Sequence, residues 1–133
     1  MSKTLLIVKP DATTRNLTGF IIERLERARF KVVEMRMITL STEQAQRFYE
    51  VHKERPFYDS LVEYMTSGPV VPMALEKGNA VSDLRVLIGA TNPKEAECGT
   101  IRYEIGRDVQ ENSVHGSDSD ENAAGEIAFF FRE

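Results

Sequence analysis

The fold class this sequence predicts is an α+β sandwich, with helices packed on one face of a mostly antiparallel sheet. Three observations lead there. The hydrophobic pattern switches between a strand period and a helix period along the chain. The candidate elements run strand, helix, strand, two short helices, strand, helix, long loop, short strand, helix, which is a βαββαβ core with insertions. And 133 residues, read as one domain over 1–133, bury a core without disulfides or a structural metal.

Leu5 to Val8 is a continuous apolar run closed by Pro10, which suits a strand buried on both faces. Thr18 is placed to cap a helix from Gly19 that carries Ile21, Ile22, Leu25 and Ala28 on one side. From Lys31 to Leu40 the period changes, with Val33, Met35 and Met37 alternating with Glu34 and Arg36, as in a strand with one wet face. Ser41 or Thr42, followed by Glu43 and Gln44, starts an amphipathic helix through Ala45, Phe48 and Tyr49 to Val51, which Pro56 ends. Asp59 to Met65 is a short helix punctuated by Ser67-Gly68-Pro69, and Val70 to Leu75 is the third strand. Asn79 stands at the cap of a helix with Ala80, Val81, Leu84, Leu87 and Ile88 at helical spacing. Gly89 to Arg107 reads as a long irregular segment, a kind of connection that is usually functional in a small domain. Val114 and His115 form a short last strand, and Asp118 or Ser119 caps a final helix towards Phe129-Phe130-Phe131.

Composition narrows the function classes. Hydrophobic residues make up 41% and charged residues 29%, as in an ordered globular protein. A net charge of −4 disfavours nucleic acid and anionic membrane as partners, so any phosphate binding must be local. The single cysteine, Cys98, forms no intrachain disulfide and reads as a passive thiol; with no apolar stretch of membrane-span length, the expected location is the cytoplasm. Neither Leu5–Val8 nor Val70–Leu75 carries an aromatic, which argues against an RNA-binding sheet.

Neither G-x-x-x-x-G-K-[ST] nor G-x-G-x-x-G after a strand occurs, so a nucleotide enzyme of this sequence must hold phosphates with side chains. The sharpest segment is Asn112-Ser113-Val114-His115-Gly116-Ser117-Asp118-Ser119. A histidine at a strand end, followed by glycine, is open to close approach, and Ser117 or Glu126 is placed to orient its ring and fix its tautomer. A neutral imidazole attacks phosphorus when cations spread the charge of the transferring group. Taken alone, a histidine in this setting is more often a turn residue beside a helix cap. Lys9, Arg85 and Arg102 are the scattered cations, and with Thr91 and Asn112 they are candidates to line a polyphosphate site. Phe57 and Tyr58 follow Pro56; an aromatic there folds into the core by default, or stays exposed to stack on a base. His52 reads as a helix-surface residue without metal-ligand spacing.

These residues resemble the nucleoside diphosphate kinase family. Asn112 to Ser119 is similar to its active-site signature. Ile7-Val8-Lys9-Pro10-Asp11-Ala12, His52 to Phe57, Met65 to Val70, Gly89 to Pro93 and Gly99-Thr100-Ile101-Arg102 fit in order, over nearly the whole chain. The resemblance implies a ferredoxin-like βαββαβ fold and a ping-pong transfer of the γ-phosphate from ATP to a nucleoside diphosphate through phosphorylated His115, with broad base and sugar tolerance. It implies that Lys9 contacts the ribose and the transferring phosphate, that Phe57 stacks on the base, that Arg85, Thr91 and Arg102 contact phosphate, and that Asn112 bonds the ribose. Tyr49 would stand beside the histidine, with Ser117 and Glu126 as its orienting partners. Magnesium (Mg) would be held mainly by nucleotide phosphates and water. The partners implied are nucleoside di- and triphosphates and further copies of the chain, with a tetramer favoured over a hexamer because the sequence stops early, at Glu133.

Three internal departures from the family pattern bear on stability. Arg29 stands where a glycine commonly ends the first helix, so a positive φ there costs about a kcal/mol. Pro72 lies in the third strand, where it donates nothing to a ladder, and Ile105-Gly106-Arg107 replaces a stretch that usually carries an aromatic.

Overall fold

The computed structural model describes residues 1–132; Glu133, on which the reading of an early chain end rested, lies outside the described residues. In order, the elements are β1 (Ser2–Val8), α1 (Pro10–Thr13), α2 (Thr18–Arg27), β2 (Lys31–Met35), α3 (Thr42–Phe48), a 3-10 turn (Glu50–His52) and α4 (Tyr58–Met65). Then follow β3 (Val71–Lys77), α5 (Ala80–Ile88), a second 3-10 turn (Pro93–Glu95), α6 (Ile101–Ile105), β4 (Val114–Gly116) and α7 (Asp120–Phe131). The sheet order is β2-β3-β1-β4, and each neighbouring pair is antiparallel. No helix among the described residues is long and apolar enough to cross a membrane.

β1 is the spine of the sheet, and its continuous apolar run has the consequence expected of it. Leu6 and Val8 point into a cluster with Ile21, Leu25, Leu84 and Ile88, while Leu5 and Ile7 point into a second cluster with Ala45, Met65, Ile127 and Phe130. Helices therefore cover both faces of the sheet, not one: α2 and α5 on the first side, α3, α4 and α7 on the second. The reason is physical. β1 and β3 are apolar on both faces, and each face needs cover.

Helix starts divide by how local their signals are. Ser41 accepts from the Gln44 N–H at 3.1 Å while Gln44 returns a bond to the Ser41 N–H at 2.9 Å, and Ser119 accepts from the Asn122 N–H at 3.0 Å. Thr18 and Asn79 do not cap as expected: α2 begins at Thr18 itself, and the Ala80 N–H is satisfied by Ser2 Oγ at 2.9 Å, reached across the fold from β1. Two short helices fall where none was expected. α1 starts on Pro10, a residue suited to a first helical turn, and α6 interrupts the long loop behind a Thr100 cap.

β2 lies at an edge, and its alternation runs opposite to the expected sense. Val32 packs towards the core, whereas Val33, Met35 and Met37 are exposed. The register shifts between Val32 and Glu34, and such a bulge re-aims the side chains that follow it. Pro72 explains where β2 stops. Its carbonyl accepts from the Arg36 N–H at 3.3 Å, but it has no N–H to return, and pairing resumes only at the bridge Ile38–Val70.

Arg29 follows α2 with φ +75°, in the left-handed region, and its side chain is exposed. Arg29→Gly removes that strain at some cost in chain entropy, so the variant is expected to be more stable by about 0.5–1 kcal/mol. Urea denaturation checks it: the midpoint rises with unchanged slope, and an unchanged or lower midpoint would show that the strain is not there.

Candidate functional site

The site forms where β1 ends beside β4. Ile7 pairs with His115, Val8 with Val114, and the Lys9 N–H then donates to the Ser113 carbonyl at 2.9 Å. This register brings the first residue after β1 and the histidine of β4 to the same end of the sheet.

His115 is half-buried, and its Nε2 lies 2.9 Å from Glu126 Oε1 of α7. A carboxylate only accepts, so Nε2 carries the proton and the lone pair lies on Nδ1. Ser117 Oγ donates to the same carboxylate oxygen at 2.6 Å and accepts from the Leu5 N–H at 3.3 Å. Both orienting candidates are thus engaged: Glu126 holds the imidazole, and Ser117 holds Glu126 against β1. The ring also meets Phe48 edge-on, with centroids 5.6 Å apart. Gly116 also has a use that was not expected: a Cβ there would stand 2.7 Å from Ile88 Cδ1, so the glycine lets α5 pack closely behind the strand.

The cations converge. Lys9 is 7% exposed, and its Nζ donates to Asn112 Oδ1 at 2.9 Å and to the Gln110 carbonyl at 3.4 Å. Burial, then the nearby Arg102, push its pKa down to about 8 against the pull of Asp11 and Asp108. Arg102, on α6, donates to the Gly89 carbonyl at 3.1 Å and the Val114 carbonyl at 2.7 Å, while its buried Nε has no partner. Burial and then Arg85 push it down to about 10, which leaves it cationic at neutral pH. Arg85, exposed on α5, lines a cleft with Ile88, Gly89, Arg102 and Gly116, directly behind the histidine strand. Arg102 acts on Lys9 and Arg85 acts on Arg102, and among the described residues no carboxylate is hydrogen-bonded to Lys9 or Arg102, which makes a ready site for a polyanion.

Asn112 is 1% exposed; its amide nitrogen donates to the Thr91 and Val109 carbonyls at 3.0 and 2.9 Å, and its Oδ1 accepts from Lys9. Thr91 is exposed and enters this clamp through its carbonyl. Tyr49 is 6% exposed with no partner for its hydroxyl, and burial followed by Glu126 holds its pKa well above the usual phenol range. Phe57 is 42% exposed, so it does not fold into the core; its ring lies 5.5 Å from the His52 ring and 5.5 Å from the Arg55 guanidinium. His52 is accordingly not a plain helix-surface residue: it is half-buried on the 3-10 turn, between Tyr49 and Phe57.

Sequence reasoning missed the group beneath the cations. Asp11 is buried; it accepts from the Ser113 N–H at 3.1 Å, the Ser113 hydroxyl at 2.9 Å, Arg15 at 2.9 Å and the Tyr64 hydroxyl. Ser113 itself sits at φ +77°. The signal available was Asp11 directly after Lys9-Pro10, a carboxylate on a segment otherwise too apolar to leave it unpaired. The larger surface hollows, about 660 Å³ beside Asn79 and Ser119 and about 420 Å³ beside Lys3 and Ile127, are lined by neither His115 nor the cation trio. Among the described residues no three His, Cys, Asp or Glu gather to hold a metal ion, and the donor set of the site is cationic, which fits phosphate oxygens.

Comparison with known proteins decides the family. The model of the family described as nucleoside diphosphate kinase matches residues 2–133. The chain belongs to the nucleoside diphosphate kinase family. A relative so named from Desulfatibacillum aliphaticivorans is 56% identical over all of this chain and 96% of its own length, and one from Nitratiruptor sp. is 56% identical over all of this chain and 97% of its own. The crystal structure of the Aquifex aeolicus nucleoside diphosphate kinase superposes with a TM-score of 0.96 at 42% identity, covering 98% of this chain and 94% of that one. That from Encephalitozoon cuniculi gives 0.96 at 37% identity, covering 100% and 90%. The fold is thus the ferredoxin-like one expected, and the activity is phosphoryl transfer between nucleotides.

Proposed function

We propose that this enzyme works by a ping-pong route in which His115 carries the phosphoryl group from a nucleoside triphosphate, typically ATP, to a nucleoside diphosphate. The observation that carries the reading is the Nε2–Glu126 bond, because it leaves the Nδ1 lone pair free as nucleophile. As the Nδ1–P bond forms, the bond from the γ-phosphorus to the bridging oxygen breaks and the diphosphate leaves; a second diphosphate reverses the step. Glu126 stabilises the cationic imidazole that forms, and Ser117 keeps Glu126 aimed.

Lys9, Arg102 and Arg85 take the phosphate oxygens, with Thr91 and the unpartnered Tyr49 hydroxyl as further donors. Asn112 keeps one lone pair of Oδ1 for a ribose hydroxyl, beside Lys9. Phe57 offers an exposed ring to the base; stacking reads a π-face and not a hydrogen-bond pattern, which accounts for broad base tolerance. Magnesium, held mainly by the nucleotide's phosphates and water, would supply charge neutralisation to the polyphosphate, while Lys9, Arg102 and Arg85 do so from the protein side.

The working form is a cytoplasmic homo-oligomer, a tetramer in preference to a hexamer. Support comes from the edge strand β2 and the residues just after it, where Val33, Met35 and Met37 are 39%, 51% and 61% exposed. Light scattering is expected to return four times the 15.1 kDa chain mass; a single-chain mass at micromolar concentration would contradict self-association.

Intact mass after incubation with ATP and magnesium, without acceptor, tests the route. One acid-labile phosphoryl group on His115, discharged by a different nucleoside diphosphate, is expected. His115→Ala should abolish it, and Glu126→Ala should slow it by at most a few orders of magnitude. A histidine variant that transfers at near-normal rate would end the proposal.

The Lys9 ammonium adds a pH signature. Its cation is lost as pH rises through about 8, and a polyphosphate needs that cation. The nucleotide KM is therefore expected to rise about ten-fold between pH 7 and pH 9, and the rise should vanish in Lys9→Met. A flat profile in the parent enzyme would show that Lys9 does not set nucleotide affinity.

A further inference from the structure

Asp11 makes no hydrogen bond to Lys9, Arg85, Arg102 or Asn112, although its charge acts on Lys9, and it is nevertheless among the most heavily bonded side chains of the described residues. Its Oδ1 accepts from the Ser113 backbone N–H at 3.1 Å and from the Tyr64 hydroxyl; its Oδ2 accepts from Ser113 Oγ at 2.9 Å and from Arg15 at 2.9 Å. A carboxylate has about four lone-pair sites, and all four are in use. Two of the four bonds go to one residue, and that residue is in the left-handed region at φ +77° without being glycine.

Ser113 is the link between Asn112 and Val114. Its backbone conformation decides where Asn112 points its Oδ1 at Lys9 and where β4 starts, at Val114, one residue before His115. Its carbonyl takes the Lys9 N–H, so the same residue ties both sides of the cleft. Arg15 extends the clamp by donating to the Ile105 carbonyl at 2.7 Å, at the end of the helix that carries Arg102.

From this geometry we infer that Asp11 is a positioning residue for phosphoryl transfer, acting by locking Ser113 in its left-handed conformation. It thereby sets His115, Asn112 and Lys9 in one frame. The inference rests on the phosphohistidine route proposed above. Asp11 supplies no proton and meets no substrate atom; what it supplies is the backbone geometry on which the nucleophile and the ammonium are both mounted. A displacement of about 1 Å between such groups is enough to cost about a hundred-fold in rate.

The test is a rescue experiment read in the rate of His115 phosphorylation by ATP, measured by rapid quench and intact mass on the full chain. Asp11→Asn keeps the shape but loses the charge and reverses the polarity of one oxygen position towards donors. It is expected to slow phosphorylation about a hundred-fold. Adding Ser113→Gly, a residue that adopts positive φ without strain, should recover at least ten-fold of that loss although it restores no bond to Asp11. Glycine at a positive φ also raises stability, so each rate is read on protein shown by its urea midpoint to be fully folded, where a merely stabilising role leaves no deficit to recover. If Asp11→Asn does not fold, Ser113→Ala against Ser113→Gly in the parent chain carries the same test. Both lose the hydroxyl bond, but only alanine keeps the strain, so alanine should be the slower by about ten-fold.

Asp11→Asn within two-fold of the parent rate, a double variant as slow as the single one, or equal rates for alanine and glycine at 113 would each overturn the inference. Failure of the parent enzyme itself to gain phosphate would instead overturn the phosphohistidine route, so the two outcomes are separable.

Discussion

The pairing of β1 with β4 is the constraint on which the site depends. Three residue pairs suffice, Leu6–Gly116, Ile7–His115 and Val8–Val114, because β1 cannot slip. A one-residue shift would exchange Leu5 and Ile7 with Leu6 and Val8 between two fully packed cores, and would move each side chain to the wrong face. The hydrophobic burial that holds β1 therefore also fixes where Lys9 ends up relative to His115. Gly116 serves the same constraint from the other side, since a Cβ there would stand 2.7 Å from Ile88 Cδ1 and force that side chain to move away from β4.

On this frame the site is built against electrostatic preference. Lys9 and Arg102 are buried near each other, and Arg85 adds a third positive charge. Left to themselves these groups would separate into solvent. Lys9 and Arg102 stay buried because neutral oxygens accept their hydrogen bonds: Asn112 Oδ1 and the Gln110 carbonyl for Lys9, and the Gly89 and Val114 carbonyls for Arg102. These oxygens bond the ammonium and the guanidinium Nη groups without neutralising the charge, while Arg102 Nε has no partner among the described residues, and the result is a cationic site suited to a polyanion. Preorganisation of this kind is where most of the stabilisation of a phosphoryl-transfer transition state originates.

Much of this was legible in the sequence, and the parts that were not share a cause. Leu5–Val8 announced a strand buried on both faces, and the segment around His115 pointed to the histidine whose ring Glu126 holds, with Ser117 bonded to the same carboxylate. The capping of α3 and α7 was local and readable at Ser41 and Ser119. What escaped was non-local. The Ala80 cap comes from Ser2, seventy-eight residues away, and the Asp11 clamp reaches Ser113 over one hundred and two. The sense of β2 was misread because Val33 and Met35 are apolar residues exposed on an edge strand, and apolar residues in alternation read as a core-facing set. Arg29 was readable in the opposite direction: a glycine position filled by arginine is found at φ +75°, so the backbone demand persisted when the residue changed. The cover on both faces of the sheet was also implied by the apolar character of β1, although the element order alone pointed to one.

The central claim is that Glu126 fixes the imidazole through Nε2 and leaves Nδ1 to face the phosphate. The most direct measurement is nuclear magnetic resonance of the phosphorylated enzyme labelled with 15N at its histidines, reading which ring nitrogen couples to phosphorus. Coupling of His115 Nδ1 to 31P, with Nε2 still protonated, is the result this geometry predicts. Coupling to Nε2 would mean that the Glu126 bond breaks before attack, and the assignment of Glu126 and Ser117 as the groups that orient the nucleophile would have to be abandoned.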